Sequence, residues 1–221
     1  AFVLVPAWVD APRTDLQERL KQPGHETTPL PEPFITHTLH NFDQDNVVNQ
    51  IHYLHLDNQP GSAVKIVFIP SYLTGDDGIV NLSYYDLLIG LDATAFPSYY
   101  EPWGYTPLES IAFGVPTITT DLSGFGQWIN SRQEQGLKKS GVKVLHRSDF
   151  NFVEVSEELA DTILALSHCG KVQRAKIAQA ATAVSLEAEW KNFIEYYSQA
   201  FHLALKKAMQ RKPKENNNLE Y

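Results

Sequence analysis

The chain has a single cysteine, Cys169, in 221 residues. No intramolecular disulfide can form, and a reducing compartment, the cytoplasm, is the expectation. No apolar run approaches the roughly 20 residues of a membrane span, and no signal-peptide pattern is visible. Basic excess is also missing. The formal net charge is −8, which argues against the Lys/Arg stripe of a general nucleic-acid binder. The one cationic cluster, Lys206, Lys207, Arg211, Lys212 and Lys214, reads as a solvated helix end, where cations suit the dipole; the alternative is a partner-binding tail. No internal repeat appears. An initiator Met is lacking too, and "AFVLVPA" opens inside what reads as a buried strand, so a piece of a longer protein is expected.

What is present fits a globular chain with a real core: 43% of residues are hydrophobic and 20% charged. Short apolar runs at 2–6, 34–38, 64–70, 93–98, 117–120 and 142–146 read as strands. Helical patterns at 45–55, 82–91, 107–114 and 156–167 lie among them. Such alternation means βαβ units, hence an α/β fold with a doubly wound, mainly parallel sheet. The helical C-terminal extension ends in 187–210, where Trp190, Phe193, Ile194, Tyr197, Phe201 and Leu205 recur at amphipathic spacing. Residues 10–33 hold five prolines and read as a surface insertion with one short helix. Residues 211–221 read as a disordered tail.

One segment, "FPSYYEPWGYTPLESIAFGVP" (96–116), carries chemistry. It is a strand followed by a loop and a helix start, and ligands in open α/β sheets bind beyond the carboxyl ends of strands. Thr106 as N-cap, Pro107 at the first helical position and Glu109 three after the cap read as a capping box. The helix start then offers free N–H groups and the positive end of the dipole to an anion. Gly104 lets backbone approach a ligand. Glu109 has a cap role on local grounds, whereas Glu101 has no helix of its own to cap and could face a ligand. His52 and His55 lie three apart on one helical pattern and read as helix-face residues rather than metal ligands; no convincing metal site is found.

These residues resemble glycogen synthases of the animal and fungal type. "FPSYYEPWGYTPLESIAFGVPTITTDLSGFG" (96–126) is very like that family's signature region, with Glu101 and Glu109 in its Glu-x7-Glu motif. "AFVLVPA", the Pro-x-x-Thr-His of "PFITHTLH", "VKIVFIPSYL", "YYDLLIG" and the late Trp-Lys helix with "LALKK" also correspond. The resemblance implies the Rossmann-like C-terminal domain, residues 1–210, of a retaining GT-B glycosyltransferase whose N-terminal acceptor domain is absent from the chain. It implies glucose transfer, with retention, from a nucleoside diphosphate glucose to the non-reducing 4-OH of an α-1,4-glucan; the resemblance favours UDP-glucose, and the sequence leaves ADP-glucose open.

By the same resemblance, Glu101 is catalytic and lies against the donor glucosyl unit, supporting an oxocarbenium-like centre without becoming a nucleophile. Glu109 bonds the donor ribose. The backbone of Gly104, Tyr105 and Thr106 cradles the pyrophosphate. Tyr84 stacks on the base, Tyr72 lines its pocket, and Trp103 joins the donor-binding set. No cofactor or metal is implied: basic side chains and helix dipoles stabilise the leaving group. The family's phosphate-neutralising Arg and Lys belong upstream of this chain, so the 221-residue piece is expected to be inactive alone.

Two departures qualify the resemblance. "KVQRAKIAQAATAV" holds only Lys171, Arg174 and Lys176 where eukaryotic members carry an Arg-rich helix for glucose 6-phosphate, so the sequence leaves activation by glucose 6-phosphate open. The 10–33 insertion is shorter than the one that builds the eukaryotic tetramer, which points to a bacterial member and leaves homo-oligomerisation open. The role of His37 is unassigned. The alternatives are another retaining GT-B transferase with a different donor or acceptor, and a non-catalytic glucan- or partner-binding module.

Overall fold

A computed structural model describes residues 1–21, 24 and 29–211. They divide into two compact units, Ala1–Gly90 and Leu91 onward. The first runs β1 (Phe2–Leu4), β2 (Val9–Pro12), α1 (Thr14–Lys21), β3 (His37–Leu39), α2 (Asn46–Tyr53), β4 (Val67–Ile69) and α3 (Tyr84–Leu88). The second runs β5 (Thr94–Ala95), α4 (Tyr105–Ala112), β6 (Thr117–Thr120), α5 (Gly124–Asn130), α6 (Leu137–Ser140), β7 (Val142–Leu145), α7 (Phe152–Ser167), α8 (Lys171–Glu187) and α9 (Trp190–Gln210).

In the first unit β1 and β4 pair in parallel, Phe2 opposite Val67 and Leu4 opposite Ile69. β2 and β3 form an antiparallel ribbon, and Ile35 bridges to Phe68. Phe34, Ile35, Leu39, Val48, Ile51, Ile66 and Phe68 make the core. α2 supplies Val48 and Ile51, three apart and so on one face. Its start is fixed by Asp45, whose carboxylate accepts from the N–H groups of Val47 and Val48 at 2.9 and 3.0 Å.

The described part of the expected insertion at 10–33 is more ordered than its prolines suggest. "VDAP" is a strand because β3 supplies its partner, and the next residue, Arg13, ties the rest of the stretch together. The Arg13 guanidinium bonds Asp15 at 2.6 Å and the carbonyls of Pro31, Glu32 and Ile35 at 2.7, 2.6 and 3.2 Å. The short helix expected there is α1. Residues 22, 23 and 25–28 of this stretch, and 212–221 of the expected tail with Lys212 and Lys214, lie outside the described residues.

The second unit is built on a parallel sheet of order β5-β6-β7, with Thr117 opposite Val142 and Thr120 opposite Leu145. All four residues of central β6 are buried, and its threonines find partners. Thr117 Oγ1 accepts from Thr94 Oγ1 at 2.9 Å, Thr119 Oγ1 lies 3.3 Å from Ser123 Oγ, and Thr120 Oγ1 donates to the Ser98 carbonyl at 2.7 Å. Ile111, Phe125, Ile129, Val142, Ala181 and Val184 form the main core, with Ile118, Leu145 and Val155 behind the sheet. In α8, Ile177, Ala181 and Val184 face inward at spacings of four and three.

The chain is thus a mixed α/β protein with parallel strands and helices. Among the described residues its ladders are three small sheets, where the strand runs alone suggested one sheet, and the strands of the second unit keep sequence order without reversal. The amphipathic spacing of α9 is real, but none of its residues is buried. Phe193 packs on Trp103 and Trp128 at ring distances of 5.3 and 5.6 Å, while Trp190, Phe201 and Leu205 stay mostly exposed. Among the described residues no helix is long and apolar enough to cross a membrane.

Candidate functional site

The loop after β5 is pinned along its length. Phe96 N–H bonds the Ile118 carbonyl at 2.8 Å, extending the β5-β6 ladder. Glu101 then forms an isolated parallel bridge with Ser123: its N–H donates to Leu122 O at 3.3 Å, and its carbonyl accepts from Gly124 N–H at 3.2 Å. Phe125 N–H donates to Trp103 O at 2.6 Å. The backbone of 101–103 therefore rests on the first turn of α5, whose Ser123 cap accepts from Gly126 N–H at 3.0 Å. This approach requires Gly124, since a β-carbon there would sit 2.4 Å from the Pro102 carbonyl oxygen.

The capping box is corrected by the structure. α4 begins at Tyr105, with Gly104 as N-cap at φ +112° and no side-chain cap. Thr106 is the second helical residue and Glu109 the fifth, so they cannot make the Thr-x-x-Glu exchange that needs Thr106 outside the helix. Glycine starts the helix early because it alone adopts this φ without strain. A β-carbon would also come 3.2 Å from Pro107 Cγ and 3.3 Å from Phe125 Cβ. Pro107 falls within the first turn, where its missing N–H costs no hydrogen bond. Gly104 has no side chain to cap with, so the first N–H groups of α4 have neither an intrahelical acceptor nor a bond from an N-cap side chain.

The half-buried Glu101 carboxylate stands beside this helix start, with Oε2 3.5 Å from where a Gly104 β-carbon would be. Tyr105 is 70% exposed and Glu109 follows it by four residues, so both share one face of α4. Trp103 turns into the aromatic cluster of Phe125, Trp128 and Phe193, at ring distances of 6.1, 6.1 and 5.3 Å. It anchors the loop that carries Glu101.

Sequence reasoning missed a group at the same sheet end. Asp121 directly follows β6, and His146 and Arg147 are the two residues after β7. Arg147 N–H bonds Asp121 Oδ1 at 3.0 Å, and His146 Nδ1 lies 2.6 Å from Asp121 Oδ2. The Arg147 guanidinium bonds the Pro97 carbonyl and covers the Tyr99 ring, with Cζ 3.7 Å from its centre. The available signal was "VLHRSD", a cation two residues past a strand.

Tyr72 and Tyr84 belong to the first unit. Tyr72 is 74% exposed just beyond β4, and half-buried Tyr84 opens α3 behind a Ser83 cap. The paired histidines are separated: α2 ends at Tyr53, and His55 lies past it at φ +54°, while His52 pairs with Glu32 at 2.9 Å. Among the described residues no three His, Cys, Asp or Glu side chains gather as a metal site. Of the α8 cations, Arg174 bonds Asp92 at 2.6 Å and the carbonyls of Ser167 and Cys169 at 3.2 and 2.9 Å, closing the α7–α8 corner.

Comparison with known proteins gives a consistent result. The family model for glycogen synthase matches residues 19–220. A glycogen [starch] synthase of Neurospora crassa is 34% identical over 196 residues, 89% of this chain and 27% of that protein. Glycogen [starch] synthase isoform 1 of Saccharomyces cerevisiae is 34% identical over 177 residues, 80% of this chain and 25% of its own length. The Caenorhabditis elegans glycogen [starch] synthase is 34% identical over 79% of this chain and 26% of its length. The chain spans about a quarter of the length of these curated relatives.

Proposed function

The chain belongs to the glycogen synthase family, and from that premise we propose that it forms the donor-binding half of a retaining GT-B glucosyltransferase. The full-length enzyme moves glucose from UDP-glucose to the non-reducing 4-OH of an α-1,4-glucan, which an N-terminal domain outside this chain would hold. The two units then belong to the Rossmann-like C-terminal domain of that enzyme. One observation carries the reading: the uncapped first turn of α4, opened by Gly104, beside the Glu101 carboxylate.

The chemistry derives from that placement. As the bond from the anomeric carbon to the donor phosphate oxygen breaks and the acceptor 4-OH forms the new glycosidic bond, its proton passing to the departing phosphate, negative charge grows on the pyrophosphate and positive charge on the anomeric carbon. The N–H groups of Tyr105 and Thr106 meet the first charge without reorganising, because the helix already aligns them. The Glu101 carboxylate meets the second from the side, and its loop is fixed by backbone bonds to 122–125. Glu109 holds the ribose hydroxyls one turn along α4. Tyr72 and Tyr84 attend to the base, and Trp103 serves the site by anchoring the turn. No step requires a metal or cofactor. The enzyme acts in the cytoplasm.

The test is a donor titration on the intact protein with glycogen as acceptor. UDP-glucose should be used with a kcat/KM well above that of ADP-glucose. Inactivity with both would contradict the reading.

A further inference from the structure

Among the described residues His37 is the one fully buried histidine, and the proposed chemistry does not use it. We infer that His37 is a positioning residue for the nucleobase end of the donor site: from beneath, it fixes the loop that runs from Tyr72 to Tyr84. The inference rests on the donor-binding reading above.

His37 is 2% exposed, and both ring nitrogens are engaged. Nε2 lies 2.9 Å from the Asp77 carbonyl oxygen, forty positions along the chain. A carbonyl only accepts, so Nε2 carries a proton and donates it. Nδ1 lies 2.8 Å from Thr36 Oγ1, which itself sits 3.1 Å from the Phe68 carbonyl. The ring is therefore held at both edges, between the core strand β4 and the loop above it.

The loop it meets is closed on itself. Asp77 Oδ1 accepts from the N–H groups of Ile79 and Val80 at 3.1 and 2.9 Å, and Oδ2 accepts from Asn81 N–H at 2.7 Å. Asn81 Oδ1 accepts from Gly78 N–H at 2.8 Å. At the loop's neck Thr74 bridges Ser83 antiparallel, and Tyr84 N–H bonds the Leu73 carbonyl at 3.0 Å. Such a unit is rigid inside but needs outside ties to fix its direction. Two side chains supply them at consecutive peptides: His37 at the Asp77 carbonyl, and Gln17 Nε2 at the Gly78 carbonyl, 2.9 Å away.

The neck of the same loop carries the two aromatics. It leaves the carboxyl end of β4, where ligands of α/β sheets lie, with Tyr72 at the way in and Tyr84 at the way out. Tilting the tip moves both rings, and two stacking faces lose their common geometry. His37 touches no substrate in this scheme. It acts through the loop, so its loss should weaken base binding and spare the chemical step.

The experiment compares His37→Phe with His37→Gln in the intact protein. Phenylalanine keeps the volume and drops the donor; glutamine places an amide N–H near the Nε2 position. Binding of UDP and of ADP is read by calorimetry, together with donor KM and kcat. His37→Phe should raise the UDP Kd and the donor KM by about tenfold, the size expected when a buried carbonyl loses its donor, with kcat within about twofold. His37→Gln should stay within about threefold of wild type. If His37→Phe has no cooperative melt, Gln17→Leu, which removes the neighbouring tie, must raise the UDP Kd in the same sense. Wild-type UDP affinity in His37→Phe or in Gln17→Leu, or a fall in kcat at unchanged KM, would overturn the inference. A wild-type protein that binds neither nucleotide overturns the donor reading itself, and this inference with it.

Discussion

Arg147 lies over the Tyr99 ring with its guanidinium carbon 3.7 Å from the ring centre, while the same guanidinium bonds the Pro97 carbonyl. The loop that presents Glu101 is thus clasped at its start by Arg147 and at its end by α5. A cation–π contact at a partly exposed site is worth about 0.5–2 kcal/mol, and catalytic geometry is sensitive to sub-ångström loss of position. Arg147→Ala should therefore lower kcat by about tenfold or more, and Arg147→Lys, with a point charge in place of the planar fork, should recover only part. Steady-state kinetics on the intact protein decide this.

Gly104 offers a second test. Gly104→Ala forces a β-carbon onto a φ of +112° and toward Pro107 and Phe125. The expected cost is about 1–3 kcal/mol of stability. Donor affinity should fall as well, since the helix start must shift. A melting curve and a UDP titration on one sample measure both.

The Arg132–Glu187 ion pair joins the end of α5 to the end of α8, and Arg132 also lies over Trp128 at 5.3 Å. The Arg132 hydrogen bond, opposed by some burial, holds the Glu187 carboxyl below its ordinary 4.5. A depressed carboxyl stabilises the fold above its unfolded value and loses that contribution as the pH falls through the folded one. The Glu187 side chain is 53% exposed, so solvent screening limits the pair to about 1 kcal/mol at most. Glu187→Gln should melt about 2–4 °C below wild type at pH 7. The gap should narrow as the pH falls below 4.5 and close as it passes through the lower folded value. Melts across pH 3–7 check the sign.

Much of this is legible in the sequence. The parallel strands β1, β4, β6 and β7 follow directly from apolar β-branched runs, and the strand–loop–helix around Glu101 follows from its position. The features that could not be read are tertiary. Thr106 has every local property of an N-cap, yet the helix begins at Tyr105, because Gly104 takes a left-handed turn beneath Phe125 and Pro107. "VDAP" has no strand pattern of its own and depends on β3. His55 continues the apolar period of α2, but the chain turns left-handed before it. Arg147 and Asp121 were invisible as a pair, since only the β6-β7 register sets them side by side. His37 was noticed without a role, because its partner lies forty residues away.

The central claim is that Glu101 supports the transition state at a donor site built on the start of α4. Glu101→Gln keeps the size of the side chain and removes its charge, so one variant separates catalysis from binding. In the intact protein, kcat should fall by at least about a hundredfold, the scale of an electrostatic contact made in the transition state. The Kd for UDP, which lacks the glucosyl unit, should stay within about twofold. A Glu101→Gln enzyme that turns over within a few-fold of wild type would contradict the account.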